Sequence, residues 1–477
     1  MNKNKPEINF GTDGWRGLLD KEVNPANVAK VAQAFAIYLI KSNKDKDNLS
    51  VAIGYDGRRQ SREFARLFAR VLSGNNIRAY LSEKTGPTPV VSYFVKNRRM
   101  NAGVMITASH NPPEYNGIKF KSSYGGPFLT EQTRKVETYL NSDLVQVSED
   151  YIMISDLRNI FYTNFERIID FDLIKESGVY PLIDSMAGAG QQIIETALDN
   201  HGIPARTIFK LPETDFSKRL AEPLPQNLKP LAEELKSGDY SIGLATDGDA
   251  DRLGVMLENG EWLSAQETIF LLADYLVNTK KLSGHIAKTS SVTDKLDVFA
   301  SEKRKIITTQ VGFKYLCEEM LKDNVLFAAE ESGGFGYSFH VPDRDGLLSA
   351  LLFIEMLAAS GYKKISELVS AKRKEYGEIF YDRIDAHYAN DNRIALLPAL
   401  AASPPGKIAG FNVTGQQEFK SSRDIINGLK LQLEGSSRWL LLRSSETEPM
   451  IRLYAEGNSD SEVADILNDA KKLIFIN

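Results

Sequence analysis

Four short polar stretches of this chain carry residue types that could do chemistry together. In the first, an apolar run, Val104, Met105 and Ile106, breaks into TASHN and two prolines, Pro112 and Pro113. A hydroxyl held at the end of a strand by a stiff turn makes Ser109 a candidate nucleophile in a solvent-facing cleft. Ligands of open α/β sheets sit beyond the carboxyl ends of the strands. Serine is weak alone and needs a base or a metal; His110 is adjacent, and Lys119 follows beyond Gly117. The alternative is a Ser-Asn-Pro turn without chemistry.

In DGDADR, Asp247, Asp249 and Asp251 alternate with the small residues Gly248 and Ala250, so three carboxylates can converge. They repel unless a hard cation lies between them, which favours Mg²⁺ or Ca²⁺. A calcium EF-hand is the rival, and Glu258 falls at its twelfth position. However, Arg252 stands where that loop needs glycine, and the flanks YSIGLAT and LGVML are strand-like. A solvated acidic turn is the other alternative. In EESGGFGYSFHVPDRDG, Glu330 and Glu331 precede Ser332 and two glycines, which suits acceptance of hydrogen bonds from neutral hydroxyls. His340 and Arg344 add a donor and a cation; alone, this is only a polar loop. In RSSETEPMIR, Arg443 and Arg452 bracket Ser445 and Thr447, which makes a phosphate cradle or a hairpin turn with exposed arginines.

Elements must carry these loops. NPANVAKVAQAFAIYLI reads as a helix capped by Asn24 with Pro25 at its first position. LSVAIGYD and IRAYLSE read as strands, SREFARLFARVL as a helix capped by Ser61, and GPTPVVSYFV as a loop and helix. VYPLIDSMAGAGQQIIETAL and GHIAKTSSVTDKLDVFA each repeat strand, loop and helix, and YSIGLATDGDADRLGVML is a strand, an acidic loop and a strand. This alternation predicts three similar α/β units with mixed, largely parallel sheets, over 1–150, 151–255 and 256–372. After SPPGKIAGFNVTG, paired strands around RSSETEP and a closing helix predict a C-terminal α+β unit over 373–477.

The length of 477 residues suits about three or four domains. Hydrophobic residues at 42% and charged residues at 25% are ordinary for a soluble globular chain. A net charge of −5 argues against a nucleic-acid binder. The single cysteine, Cys317, lies in a helix-like stretch, allows no intrachain disulfide and suits a reducing compartment. No apolar signal core or membrane-length run is evident, so a cytoplasmic protein without membrane partners is expected.

Taken in order, FGTDGWRG, TASHNPPEYNGIK, DGDADR, EESGG and RSSETEP resemble the α-D-phosphohexomutase family of phosphoglucomutases and phosphomannomutases, along nearly the whole chain. The resemblance implies four domains around a central cleft, bearing in turn the phosphoserine, the metal, the sugar contacts and a phosphate clamp. Ser109 would carry the phosphoryl group, with Mg²⁺ on Asp247, Asp249, Asp251 and that serine. Lys119 would be the general acid/base, with Arg16 and His110 in the catalytic group. Arg252, Gly312, Glu330, Ser332, His340 and Arg344 would meet the sugar, and Arg443, Ser445, Thr447 and Arg452 the non-reacting phosphate. A hexose 1-phosphate and its 6-phosphate would interconvert through a 1,6-bisphosphate, glucose 1,6-bisphosphate serving as activator, in a monomer or small homo-oligomer whose partners are sugar phosphates. EESGG looks more like glucose-preferring members than the EQSGH of phosphoglucosamine mutases; a mannose or dual enzyme is the alternative.

There are departures from the family pattern. Glu446 stands where relatives have glycine or asparagine, and is expected to offer only its backbone N–H. Gly334 stands where some relatives carry histidine, leaving His340 as a candidate second proton-transfer group. A hinge is expected near residue 372. Two rival readings are a metal-dependent phosphatase, which has no need of Arg443 and Arg452, and a silent relative, which would be expected to lack the serine or a metal aspartate.

Overall fold

The computed structural model describes residues 8–11, 13–45, 47–141, 144–388, 393–421, 424–444 and 450–476. Four sheets organise them. The first runs Trp15–Leu18, Tyr115–Ser122, Ala102–Ile106, Ser50–Tyr55, Arg78–Ser82, Ile152–Ser155. Its strands from Ala102–Ile106 onward pair parallel, joined by crossover helices Ser61–Gly74 and Thr88–Asn97; the first two pair antiparallel. Val51–Tyr55 and all of Ala102–Ile106 are buried, as an apolar run covered on both faces should be.

The second sheet runs Trp262–Leu263, Leu253–Met256, Ile242–Thr246, Pro181–Asp184, Arg206–Ile208, and the third Ile306–Thr309, His285–Thr289, Val325–Ala329, Phe335–Tyr337. Both mix parallel and antiparallel pairs. The fourth is antiparallel throughout: Phe380–His387, Met450–Gly457, Trp439–Ser444, Ile426–Leu433, Phe411–Lys420, Lys407–Ile408. The architecture is therefore the expected one, three α/β units and a distinct C-terminal one.

Local details differ from the sequence reading. Asn24 does cap Pro25–Ser42, its Oδ1 accepting from Asn27 N at 3.0 Å. Ser61 is not a cap: Gln60 takes that place with φ 66°, and Ser61 donates to the buried Asp56 carboxylate at 2.7 Å. Ile152–Ser155 closes the first sheet and Trp262–Leu263 the second, beyond the expected ends at 150 and 255. Helix Ile365–Tyr376 runs through residue 372. Turn chemistry marks where elements stop, but not which sheet takes an edge strand.

Helix Gly346–Ser360 is apolar nearly all round and buried from Gly346 to Ala358. It lies in a single core with Val91 and Phe94 of the first unit, Leu244 and Val255 of the second and Phe327 of the third. The fourth unit has its own core, built on Leu440, Leu442, Leu453 and the closing helix Asp460–Ile476. Among the described residues no single helix is long and apolar enough to cross a membrane.

Candidate active site

Strand Ala102–Ile106 delivers the chain into a turn where Ser109 takes φ 52°, a left-handed conformation that is costly for a residue with a Cβ. One buried arginine holds the turn. Arg58 Nη2 donates to the carbonyls of Ser109 and Asn111, each at 2.6 Å, and Nη1 to those of Pro112 at 2.8 Å and Tyr115 at 3.0 Å. Its Nε faces Asp56 at 3.2 Å, and its guanidinium lies over the Phe216 ring. Arg16 Nη1 donates to Asn111 Oδ1 at 2.9 Å. Ser109 is fully buried rather than solvent-facing. The cause is the acidic loop's backbone: a Cβ at Gly248 would sit 2.4 Å from the Ser109 carbonyl oxygen.

That acidic loop joins strands Ile242–Thr246 and Leu253–Met256, which disposes of the helix-flanked EF-hand. Asp247, Asp249 and Asp251 are all buried, and each offers a carboxylate oxygen within 4.8 Å of the others. Asp247 Oδ1 accepts from the N–H groups of Asp251 and Arg252, and Asp247 Oδ2 accepts from Ser109 Oγ at 3.0 Å. The second oxygens of Asp249 and Asp251 are buried without a hydrogen-bond partner among the described residues. Buried, unsatisfied, all-oxygen donors are what a hard divalent cation would satisfy, so the residues fit such an ion. Burial, then the neighbouring Asp251 and Asp249, push the Asp247 carboxyl well above its ordinary range.

Lys119 and Arg344 are the cations held most closely by this cluster. Lys119 Nζ reaches Asp249 and Asp251, each at 2.7 Å, and Asp13 at 3.0 Å. Burial disfavours its charge, but Asp13, Asp249 and Asp251 outweigh burial and raise its pKa, so Lys119 holds its proton. Arg344 pairs with Asp251 at 2.7 Å, with Glu330 at 3.2 Å and with Asp13. Thr88 Oγ1 donates to Asp249. His110 stands 4.0 Å from Glu222. Desolvation, then Arg252 and Arg16, hold its ring well below the ordinary histidine range, hence neutral. Arg252 Nη1 faces the same Glu222 at 3.4 Å.

The third-unit loop divides. Glu330 turns inward to Arg344, while Glu331 accepts from Ser291 Oγ at 2.7 Å. Ser332 is partly exposed, and Gly312, at φ 130°, opens helix Phe313–Lys322. His340 and Arg344, the other expected sugar contacts, both have partners within the protein. His340 Nε2 lies 2.9 Å from Asp345 and Nδ1 2.9 Å from Asn164, and the buried ring stacks on Tyr93. Arg344 is committed to carboxylates. Linear spacing put both beside the glycine loop, but the turn before Gly346–Ser360 sends His340 into the core. Asp13, Thr88 and Arg58 were missed. Asp13 lay within FGTDGWRG, where a carboxylate beside Arg16 was the available signal; the other two act across long chain separations.

In the fourth unit, Arg443 and Arg452 sit directly opposite each other across antiparallel strands. Like charges so placed repel, which favours an anion between them; Asp385 lies 3.7 Å from Arg452. Ser445, Glu446 and Thr447 lie outside the described residues.

Family models match along the chain: phosphoglucomutase/phosphomannomutase, alpha/beta/alpha domain I at residues 7–145, domain II at 159–260, domain III at 264–376 and the C-terminal domain at 389–473. The chain is 28% identical to a phosphoglucomutase/phosphomannomutase of Thermococcus kodakarensis, covering 98% of both chains. It is likewise 28% identical to a phosphoglucosamine/phosphogalactosamine mutase of Sulfurisphaera tokodaii, again over 98% of both. A crystal structure assigned as a phosphomannomutase of Thermus thermophilus superposes with a TM-score of 0.84 at 31% identity, covering 98% of this chain and 99% of that one.

Proposed function

The chain belongs to the phosphoglucomutase/phosphomannomutase family of phosphoryl-transfer enzymes, and from that premise we propose that it interconverts hexose 1-phosphates and hexose 6-phosphates through a phosphorylated Ser109 and a hexose 1,6-bisphosphate. The observation that carries this is the contact of Ser109 Oγ with Asp247 at 3.0 Å inside a buried three-carboxylate cluster. Asp247, Asp249 and Asp251 would hold Mg²⁺, which when bound draws charge from phosphoryl oxygens.

The chain's own residues do the rest. Arg58 fixes the serine turn, so Ser109 needs little reorganisation to react. Lys119, protonated at rest, gives its proton to Ser109 Oγ as the phosphoryl group leaves for the sugar. The attacking sugar hydroxyl passes its own proton to the lysine so vacated, and the same relay runs in reverse when the sugar's other phosphate returns to Ser109. Arg16, anchored on Asn111, is placed beside the same turn. Arg443 and Arg452 clamp the phosphate that is not reacting, and therefore grip either end of the sugar in turn. The burial of Ser109 keeps water, which would hydrolyse the phosphoserine, from the reacting centre.

Glucose is the preferred hexose on this reading, because of EESGG; mannose is the alternative. The name of the Sulfurisphaera tokodaii relative brings in amino sugars as a third class. A coupled assay with glucose, mannose and glucosamine 1-phosphates, Mg²⁺ and a trace of bisphosphate tests all three. Turnover should be fastest with glucose 1-phosphate and absent in Ser109→Ala. Fastest turnover of glucosamine 1-phosphate overturns the sugar assignment. Wild-type rates in Ser109→Ala overturn the mechanism, and release of inorganic phosphate without 6-phosphate indicates a phosphatase.

A further inference from the structure

Gly334 is a glycine with no conformational need to be one, since its φ lies outside the left-handed region. A neighbour excludes a side chain there instead. A Cβ at Gly334 would come 2.3 Å from Arg344 Cδ, 2.9 Å from Arg344 Cγ and 3.4 Å from Glu330 Oε2. The arginine stem therefore lies across the bare face of the glycine. Beyond it the guanidinium reaches one carboxylate from each of three units: Asp13 of the first, Asp251 of the second at 2.7 Å and Glu330 of the third at 3.2 Å. Arg344 itself is 6% exposed and Glu330 4%.

Three carboxylates from separate units repel unless a cation lies between them. Guanidinium suits the task because its five N–H donors form a rigid fork, whereas an ammonium is a point charge on a mobile stem. Any movement of the stem moves the fork, since both belong to one side chain confined in a close-packed interior.

We infer that Gly334 and Arg344 act as one positioning unit, in which the missing side chain at 334 lets Arg344 cross the loop and fix Asp251, Asp13 and Glu330 relative to one another. This rests on the proposed function for the roles of Asp251 and Glu330. Arg344 acts through those carboxylates, not on the substrate. The loop thus carries a permanent cation, delivered from ten residues further along the chain, where a side chain at 334 would otherwise stand.

A double-mutant cycle tests the unit. Gly334→Ala, Arg344→Ala and the double variant are compared by thermal midpoint of the metal-free protein in chelator and by kcat and KM for glucose 1-phosphate. Gly334→Ala should lower kcat at least tenfold and lower the midpoint in the wild-type background. In the Arg344→Ala background the same change should cost less than twofold and leave the midpoint unmoved. Arg344→Lys, which keeps the charge and loses the fork, should recover part of the kcat lost in Arg344→Ala. An equal cost of Gly334→Ala in both backgrounds, or none in wild type, overturns the inference. If Arg344→Ala does not fold, a crystal structure of Gly334→Ala decides: a guanidinium displaced from Asp251 supports the unit, and an undisplaced one overturns it. Should the wild type turn over no hexose phosphate, the proposed function fails, while the metal-free midpoints still judge the unit.

Discussion

Arg58 holds four carbonyls of the serine turn with one guanidinium, so Arg58→Met should misplace Ser109 and leave buried acceptors unpaired. Displacing a reacting group by an ångström costs about 10²-fold in rate. The variant should therefore lose roughly that factor in kcat and unfold at a lower temperature; an unchanged kcat would show that the prolines alone stiffen the turn. Arg443→Ala should raise KM for the sugar phosphate by about ten- to a hundredfold, as expected for one charge-assisted hydrogen-bonding group. It should also leave the fold no less stable, because it removes a cross-strand repulsion; an unchanged KM would remove the clamp from the account. Ser109 and the three aspartates were legible because each signal is local: a hydroxyl at a strand end, and carboxylates on small spacers. Arg58 was not legible, since the carbonyls it holds lie more than fifty residues away. That His340 is buried against Asp345 and Asn164 was not legible either, because spacing cannot tell a core turn from a cleft loop.

Strands Trp439–Ser444 and Met450–Gly457 show how the period of two sorts one element between two jobs. Leu440, Leu442, Ile451 and Leu453 face the closing helix, while Trp439, Tyr454 and the two arginines share the opposite face. That face meets the third unit through Asp294, which accepts from Lys430 at 2.8 Å and Lys288 at 2.6 Å. Glu456 joins Trp439 to the N–H of Asp294. Burial pushes Lys430 down to about 8, against the pull of Asp294. An unfolded lysine titrates near 10.4, on the order of the model-peptide value. Between those values the unfolded chain binds more protons than the folded one, so this group's contribution becomes more favourable as pH rises through the window; its cost is full below about 8. Denaturant titrations of wild type and Lys430→Met at pH values spanning that window should move in favour of the wild type by at most about 3 kcal/mol. A difference independent of pH would contradict the assignment. Element order was readable from periodicity, but the register that pairs Arg443 with Arg452, and the partner Asp294, were not.

Across the whole molecule, three units share a core around Gly346–Ser360 while the fourth keeps its own. The hinge expected at residue 372 falls inside a helix; that helix ends at Tyr376, and Gly377, at φ 78°, is where the backbone changes course. The sequence motifs, read as a resemblance, foretold four units. Nothing in composition or spacing foretold that Asp13, Asp251 and Glu330 would meet on one arginine, because that contact exists only once the units pack. Phosphoryl transfer through Ser109 is the central step of the proposed reaction. The direct measurement mixes enzyme radiolabelled on that serine with unlabelled glucose 6-phosphate and Mg²⁺ in a rapid quench. Label should leave the protein no more slowly than turnover and appear in glucose 1,6-bisphosphate and then in the monophosphates. Label recovered only as inorganic phosphate, or an enzyme that turns over with no label on Ser109, would contradict it.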